Sequence, residues 1–111
     1  AVALSSDART VASGSADGEV ILWHALSGEE QFRIQGTGPR VQALAFSPDR
    51  NSFAVGRDDG TVCLYQVDSG ELTHQWNRGG WCVAFSRDGK QLATGSHDGA
   101  VHIWKLPAAT K

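Results

Sequence analysis

Three stretches of this chain share one layout. Gly14-Ser15-Ala16-Asp17-Gly18-Glu19-Val20-Ile21-Leu22-Trp23 is matched by Gly56-Arg57-Asp58-Asp59-Gly60-Thr61-Val62-Cys63-Leu64-Tyr65 and by Gly95-Ser96-His97-Asp98-Gly99-Ala100-Val101-His102-Ile103-Trp104. In each, a glycine precedes an Asp-Gly pair, and a strand-like run closed by a large aromatic follows. Asp17, Asp59 and Asp98 lie 42 and 39 residues apart (59 − 17 and 98 − 59), offsets that Trp23, Tyr65 and Trp104 repeat. Asp7, Asp49 and Asp88, each in a Ser-x-Asp turn, stand ten residues ahead of these aspartates. A period of about 40 means that one supersecondary unit has been copied three times, and each copy needs a neighbour to bury its apolar sides.

Asp-Gly between apolar runs signals a hairpin, because glycine accepts the positive φ that such turns demand. The spacing predicts strands at 2–4, 10–13, 20–23 and 31–34, then 41–46, 53–56, 62–67 and 72–76, then 81–85, 91–95 and 101–105. No segment carries apolar residues at helical spacing, so helix content is expected near nil. Val20-Ile21-Leu22-Trp23 is apolar on both faces, as a strand covered on each by another sheet would be. Unit boundaries fall at 1–36, 37–77 and 78–106, with a tail at 107–111. The Ser-Gly-Glu that opens the fourth strand at Ser27-Gly28-Glu29 and Ser69-Gly70-Glu71 has no third copy. The expected fold is all-β: a partial β-propeller arc of about three four-stranded antiparallel blades, the last lacking its outer strand.

With 111 residues, 41% apolar and 20% charged, the chain sits within the globular range. A net charge of −2, with Lys and Arg scattered, offers no footprint for nucleic acid. No run approaches the roughly 18 apolar residues of a membrane span, so neither nucleic acid nor membrane is an expected partner. Cys63 and Cys82 lie in predicted strands without metal or redox spacing and are read as buried reduced thiols, which fits a cytoplasmic setting. The lack of Met, and an opening at Ala1 in what reads as mid-strand, suggest a piece of a longer protein.

Taken together, these features resemble the WD-repeat β-propeller family over the whole chain. The likeness is carried by Phe46-Ser47-Pro48-Asp49, by Leu92-Ala93-Thr94-Gly95-Ser96 with its partner Val11-Ala12-Ser13-Gly14-Ser15, by the Asp-Gly turns, and by Trp23 and Trp104. The resemblance implies a hydrogen-bonded set in each blade: a second-strand Ser or Thr, the turn Asp, the third-strand Trp, and a His ahead of the first strand. Carried over, it maps onto Ser13, Asp17 and Trp23 in the first unit and Thr94, Asp98 and Trp104 in the third, whereas Val55 and Tyr65 surround Asp59 in the second. The His is missing, since Gly36-Thr37-Gly38 and Trp76-Asn77 stand where Gly-His is expected. Trp23-His24, Tyr65-Gln66 and Trp104-Lys105 replace the family's naming dipeptide. Asp59 is therefore expected to lean on N–H groups of its own turn. Ala8 and Arg50 occupy a turn position that is Gly89 in the third unit. If φ is positive there, each costs about 1 kcal/mol.

Ser96-His97-Asp98 holds the residue types of a hydrolase triad, but neighbours on one tight turn cannot line up as nucleophile, base and orienter. Gly36-x-Gly38 lacks the rest of a dinucleotide loop, and Asp58-Asp59 lacks the oxygen-rich run of a calcium loop. His24, His74, His97 and His102 show no ligand spacing. No catalytic residue, cofactor or metal is expected. Strand alternation puts the loops ahead of each first strand on the same rim as the Asp-Gly turns. That rim gathers Arg40, Arg57, Asp58, Trp81 and His97 as candidate partner-binding residues; the competing expectation is that Trp81 only packs between blades. The implied function is a non-catalytic scaffold that docks proteins or peptides on the rim. The alternative is a regulatory propeller fused to an N-terminal catalytic domain, an NTPase or kinase, ahead of Ala1. Three blades cannot close a ring, so the open ends are expected to be covered by the rest of a larger propeller, of which this chain would be the C-terminal arc, or by self-association.

Overall fold

A computed structural model describes residues 1–36 and 38–106. Thr37, in the loop after the first unit, and the tail expected at 107–111 lie outside the described residues. The described strands are β1 (Val2–Leu4), β2 (Thr10–Gly14), β3 (Val20–His24), β4 (Glu30–Ile34), β5 (Val41–Phe46), β6 (Ser52–Arg57), β7 (Val62–Gln66), β8 (Leu72–Trp76), β9 (Cys82–Phe85), β10 (Gln91–Gly95) and β11 (Val101–Lys105). They form three antiparallel sheets ordered β1-β2-β3-β4, β5-β6-β7-β8 and β9-β10-β11. No helix occurs among the described residues, and the sheets form an open arc of propeller blades.

Each second and third strand pair in unbroken register, from Thr10↔His24 to Gly14↔Val20, Ser52↔Gln66 to Gly56↔Val62, and Gln91↔Lys105 to Gly95↔Val101. The Asp-Gly turn closes each hairpin, with φ of +90, +95 and +91 at Gly18, Gly60 and Gly99. The third sheet differs from expectation at its start. Its first strand opens at Cys82 and not at Trp81, because Gly79 and Gly80 hold φ of +121 and +90 and keep the chain out of extended geometry until they are passed.

Burial follows the number of neighbours. In the middle sheet, β7 is apolar and buried on both faces, with Val62, Cys63, Leu64 and Tyr65 at most 9% exposed. Its residues alternate between two cores, as a pleated strand requires. Phe53, Val55, Cys63 and Tyr65 meet Ala12, Val20 and Leu22 of the first sheet, while Ala54, Val62 and Leu64 meet Leu92 of the third. The outer sheets are covered on one side only. In β3, Val20 and Leu22 are buried but Ile21 and Trp23 are only half-buried, which corrects the expectation of cover on both faces. In β11, Val101 and Ile103 are exposed. For the same reason Cys82 is an exposed thiol and not a buried one; Cys63 is buried, and burial raises its pKa.

Aromatic rings close the seam between the second and third sheets. His74, Trp76, Trp104 and His102 stack in series, with successive centroids 5.7, 5.4 and 5.7 Å apart. The seam between the first and second sheets is filled by Phe32, Phe46 and Tyr65 around Phe53.

The Ser-x-Asp turns share one construction. Ser5, Ser47 and Ser86 donate to Asp7, Asp49 and Asp88 at 2.7, 2.5 and 2.6 Å, and accept the N–H of Thr10, Ser52 and Gln91. The turn also needs a left-handed residue: φ is +61 at Ala8, +66 at Arg50 and +74 at Gly89. Arg50 has a second role, since its guanidinium lies 3.5 Å from Asp7 of the first sheet. Ala8→Gly is thus the clean test. It is expected to raise stability by about 0.5–1 kcal/mol, the relief of left-handed strain less glycine's greater freedom when unfolded, and urea unfolding midpoints check it.

Candidate interaction cleft between the second and third sheets

Each joint between sheets is a close approach at a glycine at or next to the end of a second strand. A Cβ on Gly14 would stand 2.3 Å from Val41 Cγ1, and one on Gly56 would stand 2.7 Å from the Gly80 carbonyl oxygen. Nearer the rim the two joints differ. In the first, the Arg57 guanidinium reaches back across the seam and donates to the carbonyls of Gly18 at 2.8 Å and Pro39 at 3.1 Å. Thirty-nine residues on, the matching position is Ser96, too short to span its seam. A cleft of about 480 Å³ opens there, between the Asp58–Gly60 turn, the linker from Asn77 to Trp81, and the Ser96–Asp98 turn.

Four of the five rim candidates line this cleft: Arg57, Asp58, Trp81 and His97. Arg40 does not. It is exposed, and its carbonyl accepts the Asp58 N–H at 3.0 Å. Arg57 is half-buried and committed to the first joint, so it is no free anchor. Trp81 is 49% exposed and leans on the His97 ring, 4.7 Å between centroids, so it does not pack away between blades. The lining also includes Asp59, Asn77, Arg78, Asp98 and His102, which were not among the rim candidates. Gly79-Gly80 ahead of Trp81 was the available sequence signal for this linker.

The blade set expected from the family likeness does not form one connected network. Trp23 Nε1 donates to Ser13 Oγ and Trp104 Nε1 to Thr94 Oγ1, both at 3.0 Å. The turn aspartates stay with their own turns. Asp17 accepts from the Ser15 hydroxyl and the Glu19 N–H, Asp59 from the Thr61 hydroxyl and N–H, and Asp98 from the Ser96 hydroxyl at 2.5 Å and the Ala100 N–H at 3.0 Å. The physical reason is local reach: a hydroxyl two residues away captures each carboxylate, and no His bridges to the Trp. Thr94 Oγ1 instead donates to the Arg78 carbonyl at 3.1 Å, tying the third sheet to the linker. Tyr65 is buried and stacks on Phe53 with centroids 5.4 Å apart. Ser96 spends its hydroxyl on Asp98 while His97 turns to Trp81, an arrangement with no nucleophile and base in line.

These hydroxyl and N–H donors hold the carboxyls of Asp7, Asp17, Asp49, Asp59, Asp88 and Asp98 below the ordinary value of 3.8, against the upward pull of burial. A carboxyl that is more acidic when folded contributes stability above its unfolded pKa and loses it as pH falls through the folded value. Urea unfolding midpoints are therefore expected to stay flat down to about pH 5 and then to fall steadily below about pH 4.

The family model described as the anaphase-promoting complex subunit 4 WD40 domain matches residues 2–81, and that described as WD domain, G-beta repeat matches residues 72–105. The chain is 57% identical over 28 residues to WD repeat and SOCS box-containing protein 1 of Mus musculus and of Homo sapiens. That stretch is 25% of this chain and 7% of each relative's length. Three blade-like sheets at a common period, and a WD40 model covering residues 2–81, establish that the chain belongs to the WD-repeat family.

Proposed function

We propose that this chain is part of a non-catalytic WD-repeat scaffold that docks a protein partner in the cleft between its second and third sheets. The observation that carries this reading is Trp81, a large aromatic left 49% exposed over a concave surface. Tryptophan is among the residue types enriched where a few side chains carry most of an interface's binding energy. Val2 and Leu4 on one outer sheet, and Val101 and Ile103 on the other, are 57–71% exposed, and further blades of the same kind would cover them.

The whole protein carrying Trp81→Ala, compared with Arg40→Ala, tests the docking site. Trp81→Ala is expected to weaken partner binding by about 30-fold or more, the loss typical of an interface anchor, with Arg40→Ala within about twofold of the parent. Equal binding by Trp81→Ala and the parent, with unchanged thermal unfolding, would remove the cleft from consideration.

A further inference from the structure

We propose that the group docked in this cleft is an arginine side chain of a partner's peptide segment, seated as Arg57 is seated in the first joint. The inference rests on the docking role proposed above and names what is docked. Gly18 and Gly60 are equivalent positions, 42 residues apart, and Arg57 and Ser96 are equivalent, 39 apart. In the first joint the chain supplies its own guanidinium, and a Cβ on Gly18 would lie 2.9 Å from Arg57 Nη1 and from the Gly38 and Pro39 carbonyls. In the second, the Gly60 position is looser: the nearest atoms to such a Cβ are the Asn77 and Gly79 carbonyl oxygens at 3.6 and 3.8 Å. The second joint thus carries Ser96 where the first has Arg57; its Arg78 carbonyl, the counterpart of that of Pro39, accepts the Thr94 hydroxyl, and the Asn77 and Gly79 carbonyls border the open cleft.

The lining of the second joint suits a cation. Asp58, Asp59 and Asp98 contribute three carboxylates, and the turn bonds of Asp59 and Asp98 engage Oδ1 in each, leaving Oδ2 to a ligand. Trp81 offers an indole on which a planar guanidinium can stack. Both arginines in the lining oppose an incoming charge, Arg57 from its seat on the carbonyls of the first joint and Arg78 from the linker, against the three carboxylates.

The probes are three acetylated, amidated tripeptides, Gly-Arg-Gly, Gly-citrulline-Gly and Gly-Glu-Gly, titrated into the whole protein and followed by the Trp81 indole N–H resonance. The arginine peptide is expected to bind saturably, about tenfold more tightly than its neutral citrulline isostere, with the glutamate peptide weaker still. Ser96→Arg, which supplies the guanidinium from within the chain, is expected to abolish binding. Should that variant fail to fold, Asp58→Asn, whose side chain is exposed, is expected to weaken the arginine peptide about fivefold and Arg78→Ala to tighten it about threefold. Citrulline binding as well as arginine, glutamate binding better, no peptide binding, or insensitivity to the variants would each overturn the proposal. Retention of Trp81-dependent partner binding under those outcomes would leave the docking role standing and discard only the arginine.

Discussion

Phe53→Ala is expected to lower the unfolding free energy by about 3–5 kcal/mol, the usual loss when a fully buried phenylalanine is truncated in a core that cannot collapse around the void. Phe53 has no exposed surface, and its ring centroid lies 5.4–6.4 Å from those of Phe32, Phe46 and Tyr65. Three of these rings belong to the middle sheet and one to the first, so the variant strikes the seam as well as the blade. Urea denaturation of the whole protein measures it. Because stability in repeat arrays is a sum of unit and neighbour terms, the midpoint is expected to move for the first two sheets before the third. A loss under about 1 kcal/mol would mean that the seam repacks, against the interlocking described here.

Gly80→Ala is expected to cost about 2–5 kcal/mol, from two separable sources. The first is conformational: φ of +90 is strained for any residue with a Cβ. The second is steric, because that Cβ would lie 2.2 Å from the Arg57 carbonyl oxygen, and backbone cannot swing aside as a side chain can. Gly99→Ala isolates the first source, since φ there is +91 and nothing lies within 4 Å of the added carbon; it is expected to cost about 1 kcal/mol. Equal losses in the two variants would show that the second and third sheets part easily at this point. Gly80 also precedes Trp81, so the displacement reaches one wall of the cleft.

The strands were legible because their signals are local. Asp-Gly turns, serine-aspartate turns and apolar runs fix where the chain reverses, and an antiparallel hairpin then has little choice of register. What was not legible depends on the next unit. Whether Cys82 is covered depends on what stands against its sheet, and whether Arg57 is a rim anchor or a seam clamp depends on the Gly18 and Pro39 carbonyls, 39 and 18 residues away. The cleft itself arises from a difference between copies, Arg57 against Ser96, which a search for their similarities passes over. The separation of the turn aspartates from the Trp–hydroxyl pairs has the same origin in reach: the serine or threonine two residues away leaves each carboxylate committed before a longer-range partner can compete.

The stacked rings of Trp76 and Trp104 have an optical consequence. Indoles with centres 5.4 Å apart couple their electronic transitions, which produces a paired positive and negative band in the circular dichroism of the far ultraviolet. The ring contacts described in the other seam are between phenylalanines and a tyrosine and contribute no indole couplet. Parting of the second and third blades can therefore be watched by its own colour, in solution and without a label.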